Sequence, residues 1–234
     1  MSEDRRLLHQ YREQGSQAAF ARLAARHLDF VYATCLRETG NAALAEDAAQ
    51  VVFLLLARKA PRLRPGQSLA GWLFQTARFV ARNARRREAR RKAWEERALE
   101  QTPSPGLEEN SLWDRLGPAV NDALAALGAK DREAVLLRFA GGLSFPELDT
   151  ALGTSEDAAR MRLNRAVDHL RQFFAKQGVT ITAVILAGLL ADRTTQAAPA
   201  QQAFHTMICI PRALCSHGTR SEKGLFKRLL TRPW

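Results

Sequence analysis

Residues 144–174, SFPELDTALGTSEDAARMRLNRAVDHLRQFF, contain two short helical patterns separated by Gly153 and a pair of hydroxyl residues. Ser144 followed three positions later by Glu147 is the signature of a capping box, and Pro146 falls in the first turn, where its missing N–H does no harm. Leu148, Ala151 and Leu152 are expected to face inward. Gly153 suits a left-handed cap that turns the chain sharply. Thr154 or Ser155 then caps the second helix, and Glu156 and Asp157 sit in its first turn, where the helix dipole favours acids.

In the second helix Ala159, Leu163, Ala166, Val167, Leu170 and Phe174 fall on one stripe. Met161, Asn164, Arg165 and Asp168 centre on the opposite face, with Arg160 and Arg162 on its flanks. This is the layout of a helix-turn-helix whose second helix enters a DNA groove. Central side chains reach base edges, flanking guanidiniums hold phosphates, and Arg and Asn can bind guanine and adenine bidentately. The bland alternative is a helical hairpin with a charged outer face. Glu156, Asp157 and Asp168 speak for that alternative, because acids repel phosphate. The capping, the glycine turn and the arginine placement together favour DNA.

Working outward, the charge of the 234-residue chain is uneven. Residues 1–97 carry 19 basic against 10 acidic side chains, 98–112 carry three acids and no base, 113–176 balance at nine each, and 177–234 hold seven bases against two acids, for a net +11. A basic first half beside a neutral second module points to a polyanionic partner. Three cysteines, Cys35, Cys209 and Cys215, form no even disulfide framework, which fits a reducing cytoplasm. The N-terminal MSEDRRLLHQYREQ lacks the apolar core of a signal peptide. The longest apolar run, Val179 to Ala191, falls short of the ~20 residues that span a bilayer.

The chain reads as all-α: two small helical domains joined by a flexible linker, the second a helix-turn-helix. Phe20, Leu23, His27, Phe30, Val31 and Leu36 outline one amphipathic helix that closes at Gly40. Leu44, Ala48, Val52, Leu55 and Leu56 outline a second that stops before Pro61, and RLRPGQS is a loop. A third begins near Ser68, with Leu69, Trp72, Leu73, Thr76, Ala77, Val80 and Ala84 on one face. Arg78, Arg82, Arg85 and Arg86 lie off that stripe, with Trp72, Phe74 and Phe79 interleaved. Cations track a phosphate backbone and aromatics stack on unpaired bases. Trp72 reads as core, whereas Phe74 and Phe79 are the better candidates for stacking. The domains are drawn at 1–97, a linker at 98–112, the helix-turn-helix domain at 113–176, and an extension at 177–234 of unassigned role.

Taken together, GSQAAFARLAARH, GNAALAEDAAQVVFLLLARKA, SLAGWLFQTAR and LSFPELDTALGTSEDAARMRLNRAVDHLR, in this order and spacing, resemble a bacterial RNA polymerase sigma factor of the extracytoplasmic-function type over about residues 4–174. The resemblance implies a transcription initiation factor that catalyses nothing and needs no cofactor or metal. Its partners would be the RNA polymerase core (clamp helices of the largest subunit, flap), promoter DNA, and an anti-sigma factor or other regulator. Asp47 and Gln50 match the family's core-binding positions, with Val51 where an acid is usual. The loop before the tryptophan, including Gln67 and Ser68, would capture a base flipped from the melted −10 element. The helix after it would add −10 contacts through Arg78, Phe79, Arg82, Arg85 and Arg86. Phe79 stands where many members have asparagine, so no −10 base preference carries over. The −35 duplex would be read by Ser155, Arg160, Met161, Arg162, Asn164 and Arg165.

A helix-turn-helix regulator binding duplex operator DNA is the alternative function. It explains residues 144–174 but gives the basic-aromatic helix and the Asp47/Gln50 helix no task. An enzyme is disfavoured, for the chain has no HExxH, GxSxG, P-loop or dinucleotide fingerprint. His205, Cys209, Cys215 and His217 supply four potential zinc ligands, but without a Cys-x2-Cys pair, and the tail reads as metal-free. The apolar segment 179–191 reads best as a helix packed on one of the domains.

Overall fold

The computed structural model describes residues 3–63, 68–98 and 112–179. Residues 99–111 of the linker, residues 64–67 with Gln67, the tail with His205, Cys209, Cys215 and His217, and all but Val179 of the apolar segment 179–191 lie outside these residues. Among the described residues every regular element is helical: α1 (Glu3–Gln14), α2 (Gln17–Thr39), α3 (Ala42–Lys59), a 3-10 turn (Ala60–Arg62), α4 (Leu69–Ala98), α5 (Leu112–Ala126), α6 (Ala129–Val135) running into a π-helical turn (Leu136–Ala140), α7 (Phe145–Leu152) and α8 (Glu156–Ala175).

Small polar residues start these helices. The backbone N–H of Ala19 donates to Ser16 Oγ at 3.2 Å, that of Leu44 to Asn41 Oδ1 at 3.0 Å, and that of Gly71 to Ser68 Oγ at 3.1 Å. Each such cap stabilises its helix by about 1 kcal/mol. The apolar spacing outlines a first helix only from Phe20. α1 forms because Leu7 and Tyr11, four apart, bury one stripe on the first bundle, while Asp4 pairs with His27 at 2.9 Å.

α2 is the axis of the first module: α1, α3 and α4 all pack on it. Leu23 and Val31 of α2, Val52 and Leu56 of α3, and Leu73 and Phe74 of α4 are fully buried. Ala45, Ala49, Ala77 and Ala81 are buried too, and such small side chains let α3 and α4 approach their neighbours closely. The second module stacks α6, α7 and α8 around Val135, Leu148, Ala166, Leu170 and Phe174.

The helix-turn-helix is built much as its sequence suggested. Ser144 N–H donates to Glu147 Oε2 at 2.8 Å, Ser155 Oγ accepts from the Ala158 N–H at 3.3 Å, and Gly153 takes φ +65°. A side chain there would be strained, so glycine is required. Leu148 is buried as expected. Ala151 and Leu152 are only half-buried, Ala151 because it rims a cleft of about 620 Å³ rather than filling the core.

α5 crosses from the second module to pack on α2 of the first. The Arg37 guanidinium donates through Nε to Asn121 Oδ1 at 3.0 Å, and Asn121 Nδ2 donates to the Thr34 carbonyl at 3.1 Å, all in a buried setting. The sequence, read as tethered bodies, did not foresee this contact, because nothing local in residues 113–126 marks which helix they will meet.

Candidate nucleic-acid interface

α8 presents its arginine face outward. Asn164 and Arg165 are exposed, and Met161 is 62% exposed, unusual for so large an apolar side chain. The opposite stripe, Ala159, Leu163, Ala166, Val167, Leu170 and Phe174, is buried, so α8 cannot rotate without exposing its core. Ser155 spends its hydroxyl on the cap but leaves its residue exposed at the helix N-terminus. Arg160 is exposed, paired with Glu156 at 2.6 Å and stacked 4.6 Å over the Phe145 ring. Arg162 is half-buried and leans towards Asp131 at 3.9 Å. The face thus has a central exposed group, Met161, Asn164 and Arg165, with Arg160 and Arg162 held at its edges.

On the first module α4 is 30 residues long, about 45 Å. Trp72 is buried, as read. Phe74 is not free to stack on a base, since it is fully buried and Arg78 lies 5.7 Å over its ring. Phe79 is half-buried. Ser68, half-buried, caps the helix.

The four arginines divide into two classes. Arg85 and Arg86 are exposed, Arg85 also reaching the Glu38 carbonyl at 2.8 Å. Arg78, expected on the outer face, is only 8% exposed. Its Nε donates to Glu38 Oε1 at 3.0 Å, while Arg82 Nε donates to Glu38 Oε2 at 3.1 Å. Both guanidiniums also pair with Asp122 of α5. Burial works against the charge of Arg82, but Glu38 and Asp122 more than offset it and hold this guanidinium above its ordinary range. A helical wheel of α4 alone cannot show this, for the partners lie about 40 residues away on either side.

Asp47 is exposed and Gln50 half-buried on α3. Three positions apart, they share one side of the helix, while Ala45, Ala48, Ala49 and Val52 face inward. Trp94, 70% exposed among the exposed Arg87, Arg90 and Arg91, escaped the sequence reading, which stopped at the point where the apolar stripe fades. Its signal was an aromatic inside a basic run.

No group of three or more His, Cys, Asp or Glu among the described residues is arranged to hold a metal. No helix among them is long and apolar enough to cross a membrane.

Known proteins match this chain over both modules. Residues 23–91 match the model of Sigma-70 region 2, and residues 119–170 match that of Sigma-70 region 4. The RNA polymerase sigma factor CarQ of Myxococcus xanthus is 36% identical over 162 residues, covering 69% of this chain and 92% of that protein. The ECF RNA polymerase sigma factor SigL of Mycobacterium tuberculosis is 34% identical over 173 residues, covering 70% of this chain and 94% of its own length. The solved structure of CnrH in complex with the cytosolic domain of CnrY is 25% identical, with a TM-score of 0.36 over 75% of this chain and 99% of that one. The chain belongs to the extracytoplasmic-function RNA polymerase sigma factors: it is a transcription initiation factor rather than an enzyme, and it binds RNA polymerase core and directs it to promoters through regions 2 and 4.

Proposed function

We propose that the two modules handle one promoter in two states. The first module docks on the clamp helices of the polymerase largest subunit through Asp47 and Gln50, and holds the melted −10 strand with Gln67, Ser68, Phe79 and the arginines of α4. The second module, seated at the flap, reads the −35 element as duplex through Ser155, Arg160, Met161, Arg162, Asn164 and Arg165. Flipping a base out of the duplex costs a few kcal/mol, and stacking of about 1–3 kcal/mol per base with phosphate contacts offsets it. Acting on chromosomal DNA, the chain works in the cytoplasm. An anti-sigma factor or another regulator would silence it by covering α3, α4 or α8.

The observation that carries this reading is the outward face of α8, where Met161, Asn164 and Arg165 stand exposed on a helix clamped by its opposite stripe. Runoff transcription from a pool of genomic fragments, with core polymerase and the full chain, tests it. Discrete transcripts that vanish with Asp47→Ala/Gln50→Ala, and that change in start-site pattern with Asn164→Ala, are expected. Transcripts identical with and without the chain would refute it.

A further inference from the structure

We propose that the far end of α4 is a grip for the promoter spacer: Trp94, with Arg87, Arg90 and Arg97 around it, packs on duplex DNA just upstream of the −10 element. The inference rests on the reading of α4 as the −10 helix and extends that helix's task beyond Phe79 and the arginines nearest the bundle.

α4 outruns the module it belongs to. Ala81 is the last of its described residues to be buried, yet the helix continues to Ala98, roughly 25 Å further along its axis. Trp94 stands on this projection and is 70% exposed. An indole joins a large apolar ring to one N–H donor, which suits a surface that is apolar at one edge and charged at the next. The sugar-phosphate edge of a DNA groove is such a surface.

Charge on the projection is sorted by face. At 100° per residue, Phe79, Asn83, Arg87, Arg90, Trp94 and Arg97 fall within about 80° of one another and form one line along the helix. Arg87, Arg90 and Arg97 are exposed, and Arg90 is steadied by its Nε, which donates to the Arg86 carbonyl at 3.2 Å. The acids Glu88 and Glu95 lie roughly 100–120° round the helix from Trp94. Both are held by Arg91 at 2.6 Å, which keeps their charge off the Trp94 line. An aromatic set between cations with the acids turned aside is complementary to a polyanion.

Position selects duplex as the occupant. The line starts at Phe79, in the proposed −10 site, and reaches Trp94 15 residues later, about 22 Å away. At a rise of about 3.4 Å that distance is six to seven base pairs. DNA so far upstream, on its way to a −35 element held as duplex, is paired again. The arginines take phosphates on either side while the indole packs on deoxyribose, so the grip adds affinity with little regard to sequence.

Holoenzyme binding to two forked fragments of one promoter, recovered by runoff transcription, tests the grip. Both carry the open −10 non-template strand and lack the −35 element; one has an upstream duplex arm of about 3 base pairs and the other about 12, long enough to pass Trp94. Wild-type holoenzyme should bind the long-armed fork roughly tenfold more tightly. Trp94→Ala should cut that gain to about twofold and leave the short-armed fork unchanged, while Trp94→Phe keeps most of it. Arg87→Ala/Arg90→Ala should also cut the gain and lower the slope of log affinity against log salt by about 2 on the long arm alone. Because these side chains are exposed, circular dichroism should show every variant folded. A gain that survives Trp94→Ala would overturn the proposal, as would a wild-type holoenzyme indifferent to arm length. Equal loss on both forks, with weaker competition for core polymerase, would make Trp94 a polymerase contact and overturn it too. Failure of the −10 reading shows separately, as no preference for open over paired −10 strand, and the arm-length gain still decides the role of Trp94.

Discussion

Arg78 donates through Nε to Glu38 at 3.0 Å although 40 residues separate them, and the carboxylate it meets is entirely buried between α2 and α4. A second guanidinium, Arg82, takes the other oxygen at 3.1 Å. Glu38 is thus the charge on which two cations of α4 are balanced.

Breaking such a set is costly because Arg78 remains buried with one of its two carboxylate partners gone. Glu38→Ala should destabilise the chain by about 3–5 kcal/mol. Urea denaturation followed by circular dichroism measures this. A loss under about 1 kcal/mol would mean that water reaches Arg78 and the pair is not buried in solution.

On α8 the expectation is the reverse. Asn164 and Arg165 are exposed, so their replacement by alanine should leave stability within about 0.5 kcal/mol. Each should cost the assembled holoenzyme about 1–3 kcal/mol on −35 duplex, with relaxed preference at a single base position. Anisotropy titrations on duplexes altered one base pair at a time would show it. An equal loss on every sequence would make these residues phosphate contacts instead.

The α3 contact predicts a separable defect. Asp47→Ala should weaken binding to core polymerase about tenfold while the free chain keeps its fold and its affinity for DNA. Competition against labelled wild-type chain for core polymerase provides the measurement. Unchanged competition would move the docking surface elsewhere.

Acid should act through Asp4. Burial pushes its carboxyl up, but the hydrogen bond to His27, with the charges of His27 and Arg26, brings it net below its ordinary value of 3.8. A carboxyl lowered on folding contributes stability that is present above 3.8 and is lost as pH falls through the lower, folded-state value. Asp4→Asn should therefore lower stability at neutral pH and flatten the fall below about pH 4. Equal pH slopes for wild type and variant would contradict this.

How much of this could be read from sequence depends on the range of the interaction. Ser144, Glu147, Gly153 and Ser155 act within four residues of themselves, so the capped turn, the second helix and its outward face were all legible. The side of a long helix that stays solvated was not. Arg78 and Phe74 looked available because a helical wheel knows only its own residues, whereas Glu38 and Asp122 reach them through the tertiary fold. α1 carries only a short stripe, Leu7 and Tyr11, and its ordering also draws on His27 and the bundle it packs against. Trp94 lies beyond the end of the apolar stripe of α4, inside its basic run.

The central claim is that one chain holds opened strand with its first module and closed duplex with its second. Permanganate reactivity of −10 thymines and DNase protection of the −35 region, read on one promoter with holoenzyme, test this most directly. Arg85→Ala/Arg86→Ala should abolish the reactive thymines while −35 protection survives, and Asn164→Ala/Arg165→Ala should lose −35 protection first. Variants that lose both signals together, or thymines that stay reactive without Arg85 and Arg86, would contradict the account.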